Sequence, residues 1–338
     1  MRYTNKELLE RTRNIHKATL WPSLRMALIL NFAVGLVKTL RSWLSGIVMG
    51  ENWASLDQLI QDLSFSDQAK QGEILQSLEQ NVPKLVAASV LSMLLGWLLF
   101  IFFDAIIREG YRRWFSRNRE LTSTDGLRPT PSSRLLFSFF KQDTYQTTVK
   151  ACFYKNFRLW LWGLPLYLLT LGVGYMNWQI LKQNLTINYL FDSNPDQADI
   201  YFQTEWQDFG FLGFVLVTLF FLSLVLYISK RLSYSQADWF LADNPQIGGQ
   251  RALELSEKLM QGKKGALLLL AVSYLPWLLL PIILAPFLLT LSAVLLPFLY
   301  LFVDSRYHQA QAEFYAAIRD EAVEKGLITM EELGYHRT

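Results

Sequence analysis

The 338-residue chain has one cysteine, Cys152, and three histidines, His16, His308 and His336. A single cysteine excludes an intramolecular disulfide framework, and Cys152 reads as an ordinary packed residue. No cysteine–histidine nucleophile pair is evident, no serine sits on a marked elbow, and there is no phosphate-cradling glycine loop. Asp304 and His308 stand at i and i+4 and so share a helix face, but two ligands do not make a metal site. Charge is scarce as well, at 18% of residues. The first twenty residues hold no apolar stretch of the kind a cleaved leader needs, so the first membrane helix reads as a retained anchor. These absences leave no catalytic set and no cofactor or metal to expect, and the chain is read as a non-enzyme.

What is present is hydrophobicity: 51% of residues are apolar, and mean hydropathy is +0.17. The apolar residues fall in long uncharged runs, which exclude a soluble enzyme, a disordered chain and a collagen-like fibre. A helix needs about 20 apolar residues to cross the hydrocarbon core. The runs predict an all-α polytopic bundle of about six transmembrane helices, forming a single membrane domain over 1–338. The spans are expected at about 21–48, 85–107, 159–181, 209–229, 266–282 and 286–303. The last uncharged run, Ala266 to Val303, is too long for one span, and Pro276, Pro281 and Pro286 place a tight hairpin near Pro281–Pro286.

Charge alternates between the loops. Residues 50–82 carry six acids against Lys70, and residues 182–208 carry five acids against Lys182. Residues 108–158 carry eleven basic residues against four acidic ones, and 230–264 carry six against four. The positive-inside rule then puts both termini and the two basic loops in the cytoplasm of a multi-pass cell-membrane protein, with the acidic loops outside. Short amphipathic helices are expected in the first outer loop, from Trp53 to Val82.

After the second span, Ile106, Ile107, Tyr111, Trp114 and Phe115 recur at helical spacing, with Arg112, Arg113, Arg117 and Arg119 among them. This predicts an interfacial helix whose arginines meet anionic lipid headgroups. Aromatics interleaved with basic residues also suit nucleic acid, but a loop held at the bilayer favours lipid. Gly126, Pro129 and Pro131 predict a turn region. Further along, Asp243-Asn244-Pro245 reads as a turn with a capping acid, followed by a helix from about Gln246 to Gln261 that Gly262 ends. Gly172 and Gly174 read as close helix packing in the third span.

The run Tyr234…Ala237…Leu241-Ala242-Asp243-Asn244-Pro245, then Ala252, Ser256, Met260, Gly262 and Lys264, then Ser273, Tyr274 and Trp277, resembles a bacterial membrane protein family. It is the one catalogued as domain of unknown function nine hundred and seventy-five. Lys6-Glu7-Leu8-Leu9…Arg11, Gly110-Tyr111-Arg112…Phe115, Leu136-Phe137…Phe140 and Ala312…Phe314-Tyr315 are similar to it too. The resemblance implies a polytopic inner-membrane protein and no reaction.

The remaining candidates are charges at membrane depth. Lys38 and Arg41 are three apart on one face of the first span, and Asp104 precedes Arg108 by four on one face of the second. Such charges cost a few kcal/mol and face a partner or a cavity. In one reading Asp104 pairs with Arg108, while Lys38 and Arg41 snorkel towards acids of the first outer loop. In the other, Lys38 and Arg41 line an anion-attracting, water-filled vestibule. The leading expectation is a scaffold or accessory of membrane or envelope processes. Its expected partners are membrane lipids, and other membrane proteins or further copies of the chain remain open. The alternative is a small-solute, ion or lipid transporter or channel, with a cavity near the proline-broken fifth and sixth helices.

Overall fold

The computed structural model describes residues 4–65, 68–125, 130–193, 195–284 and 292–335. Among them there is no strand. The helices are α1 (Asn5–Ala18), α2 (Leu20–Phe65), α3 (Gln68–Leu99), α4 (Ala105–Asp125), α5 (Gln142–Ser193), α6 (Pro195–Ser233), α7 (Ala237–Asp243), α8 (Gly249–Leu259), α9 (Lys264–Leu284) and α10 (Ser292–Glu324). A π-helical turn, Phe100–Asp104, joins α3 to α4, and 3₁₀ turns cover Ser133–Phe140 and Pro245–Ile247.

Among the described residues four stretches are long and apolar enough to cross a membrane: Leu20–Val48, Val86–Glu120, Gln142–Met176 and Gly213–Asp243. A shorter apolar helix runs over Lys264–Trp277. The centre of the expected proline hairpin, including Pro286, lies outside the described residues, as do Gly126, Pro129 and His336. The first outer segment differs from expectation. Residues expected to form separate short helices instead continue α2 as far as Phe65 and α3 from Gln68. The second outer segment likewise belongs to α5 and α6. The acids of both segments lie outside the described side chains.

The chain, read from sequence as one domain, divides into two compact units. The first comprises Met1–Leu44, Leu94–Phe157 and Arg231–Thr338. It holds a packed apolar core: Leu8, Trp114, Phe115, Leu136, Phe240 and Phe314 are all fully buried. Around this core α4 packs on the 3₁₀ turn 133–140, on α7 and on α10, and α1 packs on α10. A capping box starts α1: the Thr4 N–H donates to Glu7 Oε2 (2.7 Å), and the Glu7 N–H donates back to Thr4 Oγ1 (3.4 Å). The chain beyond α10 folds back onto the same core. Ile328 and Leu333 are buried there, and Asn244 Nδ2 donates to the Glu332 carbonyl (2.9 Å).

The second unit comprises Ser45–Met93 and Arg158–Lys230. Its helices expose large apolar side chains, among them Leu171, Phe214, Phe221 and Val225. Water would not tolerate such a surface, and hydrocarbon does. Lys230 places its ammonium 4.6 Å from the Trp162 ring centroid. Among the described residues Gly172 meets Leu216 only at 4.0 Å and Gly174 has nothing within 4 Å, so no close helix approach is seen there at either glycine.

Candidate functional site

Where α4, α5 and α7 meet in the first unit, four ionisable side chains, two acidic and two basic, close on one another. Glu109 is completely buried. It accepts from Arg112 Nη1 at 3.0 Å and lies 3.4 Å from Lys155 Nζ. Arg112 Nη2 is 2.9 Å from Asp238 Oδ2, and Lys155 also pairs with Asp238. Two cations thus face two anions. Each buried charge has opposite partners, the condition under which burial is tolerated. Cys152 is buried beside them, with Sγ 4.0 Å from Glu109 Oε1.

One helical turn away, a second network centres on buried Asp243. Its carboxylate accepts from Tyr315 Oη (2.6 Å) and Ser116 Oγ (2.9 Å). Ser116 and Tyr335 are hydrogen-bonded at 3.1 Å. Arg117 and Arg319 lie 4.1 Å and 4.8 Å from the Tyr335 ring centroid, and Arg319 Nη1 reaches Glu120 at 2.6 Å. Burial and the Asp243 charge both push the Tyr315 and Tyr335 hydroxyls upward, so both stay protonated donors. Asp243 therefore organises the core instead of capping the turn. The cap is Asn244, whose Oδ1 accepts from the Gln246 N–H at 3.1 Å. The following helix is shorter than expected, Gly249–Leu259, and Gly262 adopts φ 74° just beyond it.

The arginines expected at headgroups have protein partners. Arg112 belongs to the first network. Arg113 lies 5.0 Å from the Phe139 ring, Arg117 pairs with Glu120 at 3.4 Å, and Arg119 pairs with Glu313 at 3.2 Å. The apolar face between them is covered by protein, since Ile106, Tyr111, Trp114 and Phe115 are at most 1% exposed. The helix predicted to lie in the interface is thus the central helix of a packed core. Glu109, Lys155 and Asp238 were missed from sequence; the one local signal was the i, i+3 pairing of Glu109 with Arg112.

At the start of α4, Arg108 Nε is 3.0 Å from Asp104 Oδ1. Asp104 ends the π-helical turn, in which the Ala105 N–H donates to the Phe100 carbonyl. The Phe102 carbonyl there accepts from the Tyr145 hydroxyl at 3.1 Å. Such turns are rare and carry one residue more than an α-helical turn. Lys38 and Arg41 are exposed, and the Arg41 guanidinium lies against Gly96, where an added methyl would fall 2.5 Å from Nε. Asp304 accepts from Tyr111 Oη (3.0 Å) and lies 3.3 Å from His308 Nδ1. Among the described residues no group of three acidic, histidine or cysteine side chains could hold a metal ion.

His16 is buried at 4% exposure, edge-on to Phe302 at 5.4 Å. Neither ring nitrogen meets a hydrogen-bond partner among the described residues. Burial, assisted by the positive charge of Arg306, holds its pKa down to about 4 from 6.5. His16 is therefore neutral in the folded protein. As pH falls below 6.5, the unfolded chain takes up a proton that the folded chain refuses. The stability His16 contributes is full above 6.5 and is lost as pH falls through about 4. Replacing His16 by Leu should flatten this part of the pH–stability curve. Melting temperatures between about pH 7 and 4.5 test it, and an unchanged slope would refute the assignment.

Residues 200–322 match the family described as Protein of unknown function (DUF975). The match takes in Asp243, α8, α9 and most of α10, and stops short of the resembling segments near the N-terminus, in α4 and at Leu136–Phe140. No curated protein matches the chain, and no solved structure does.

Proposed function

We propose that this chain is a multi-pass cell-membrane protein of about six spans, with both termini in the cytoplasm, acting as a non-enzymatic scaffold or accessory. The observation that carries the reading is the closed quartet of Glu109, Arg112, Lys155 and Asp238. Its charges compensate one another inside packed protein, which suits a rigid platform better than a group that must bind and release. In this reading α9 and α10 supply the fifth and sixth spans, and the alternation of basic and acidic segments supports the orientation. Membrane lipids are the first partners in this reading, meeting the exposed apolar helix faces. A reporter active only outside the cell, fused after Thr338, should stay silent, and a strong signal would overturn the topology.

The transporter reading draws on one feature, a cleft of about 400 Å³ between α9 and α10. Proteoliposomes separate the two readings. The scaffold leaves solute and ion flux at the level of empty vesicles, whereas flux above that level that depends on the protein would favour transport.

A further inference from the structure

The cleft between α9 and α10 has a chemically uneven wall. Its lining includes Tyr274, Tyr300 and Tyr307, the apolar side chains Val272 and Leu275, and a single charged residue, Asp304. Among the described residues no lysine or arginine lines it. The nearest guanidinium on α4, Arg108, is engaged by Asp104 at 3.0 Å. Arg306, on α10, does not line the cleft and stands at the hydroxyl of the buried Tyr274. The Asp304 carboxylate accepts from Tyr111 and contacts His308, using two of about four acceptor positions that a carboxylate offers. Tyr274 and Tyr307 meet edge to face with centroids 5.4 Å apart, so aromatic faces stand beside the carboxylate. Such faces carry negative potential and attract cations, ammonium groups above all. The volume is within the range of small-molecule clefts and holds a headgroup with a few methylenes. Val272, Leu275 and Tyr300 are each about half exposed, so the cleft opens on the outer surface of α9 and α10, which faces the bilayer in the six-span reading proposed above.

We propose that this cleft binds the ammonium head of a bilayer amphiphile, with the amine against Asp304, the tyrosine rings around it and the chain along Val272 and Leu275. An aminophospholipid is the occupant that the surroundings supply. An anionic head in the same place would meet the Asp304 carboxylate and, among the described lining residues, no lysine or arginine, so the site discriminates by charge. The proposal concerns a ligand of the membrane segment and holds whether or not the protein moves a solute.

Dodecylamine and dodecyl sulfate are the matched probes, titrated against the purified full chain in a neutral detergent. The amine should bind about tenfold or more tightly than the sulfate. Asp304→Asn should remove about tenfold of the amine affinity and leave the sulfate unaffected or improved. Asp304 also holds Tyr111 and His308, so this variant could fold poorly. Val272→Trp therefore serves as a second test, filling the cleft without touching the carboxylate. It should abolish amine binding at an unchanged melting temperature. Equal affinity for the two probes, or amine binding that survives Val272→Trp, would overturn the proposal. In nanodiscs of equal parts phosphatidylethanolamine and phosphatidylglycerol, native mass spectrometry should find the amine lipid enriched on the wild type and not on Val272→Trp. Amine binding without that enrichment would overturn the bilayer source.

Discussion

Replacing Glu109 by Leu should unfold or severely destabilise the protein. Glu109 is fully buried and serves both Arg112 and Lys155. Without it, two cations share Asp238 alone, and the core carries an uncompensated positive charge. Breaking a buried pair in this way costs about 3–5 kcal/mol. For a unit of this size that lowers the melting temperature by roughly ten degrees or more. The sign of the effect can be isolated. Adding Lys155→Met to Glu109→Leu removes the surplus charge and leaves Arg112 paired with Asp238 at 2.9 Å. The double variant should therefore recover much of the loss, although each change alone is harmful. If the single variants melt like the wild type, or the double variant is simply the sum of the two, charge compensation is not what holds α4, α5 and α7 together.

Gly110→Ala should be nearly as damaging, for a reason unrelated to charge. Alanine is the better helix former by about 1 kcal/mol, so a helix considered alone predicts a gain. In the folded protein the added methyl would sit 2.0 Å from the Leu136 carbonyl oxygen and 2.6 Å from its carbon. Both atoms are backbone, so no side-chain rotation can relieve the clash. Either α4 and the 133–140 turn separate, or the turn unwinds. We expect a loss of about 3 kcal/mol or more, comparable with severe overpacking. Trp114 reports the event, because its indole N–H donates to the Pro131 carbonyl at 2.9 Å just ahead of the same turn. Its emission should shift to the red in Gly110→Ala. Gly265→Ala is the control, since nothing lies within 4 Å of the added methyl there. Equal behaviour of the two variants would show that the close approach has no energetic weight.

The apolar runs were legible because a bilayer imposes one rule on every spanning segment, and that rule is written locally in the order of residues. The packed core was not, and α4 shows why. Arginines and aromatics at helical spacing look the same whether the arginines meet phosphates or carboxylates. The carboxylates that engage these arginines include Asp238 and Glu313, far along the chain on α7 and α10. A single sequence carries no record of which distant element returns to which face. Gly110 entered the sequence reading only through a family resemblance, since its requirement comes from the backbone of a turn some twenty-five residues later. The Asp104–Arg108 contact was readable for the opposite reason, because a four-residue spacing in a helix is itself a geometry.

The π-helical turn at Phe100–Asp104 has a consequence for how the two ends of this helix are aimed. In an unbroken α-helix one surplus residue would advance the phase by about 100°, and the wider π-turn takes up most of that rotation. The side chains of 94–99, with Leu94 and Leu98 exposed and apolar, are thus set by the turn relative to the side chains of 105–120, which must meet Leu136, Asp238 and Glu313. Forcing 100–104 into α-helical geometry with every residue kept would rotate one end of the helix against the other by most of that angle. Either Glu109 and Trp114 would leave their partners, or the outer end of the helix would present a different stripe to the lipid. The turn works as a coupling with a fixed offset, letting one continuous rod satisfy two surroundings whose demands are out of register.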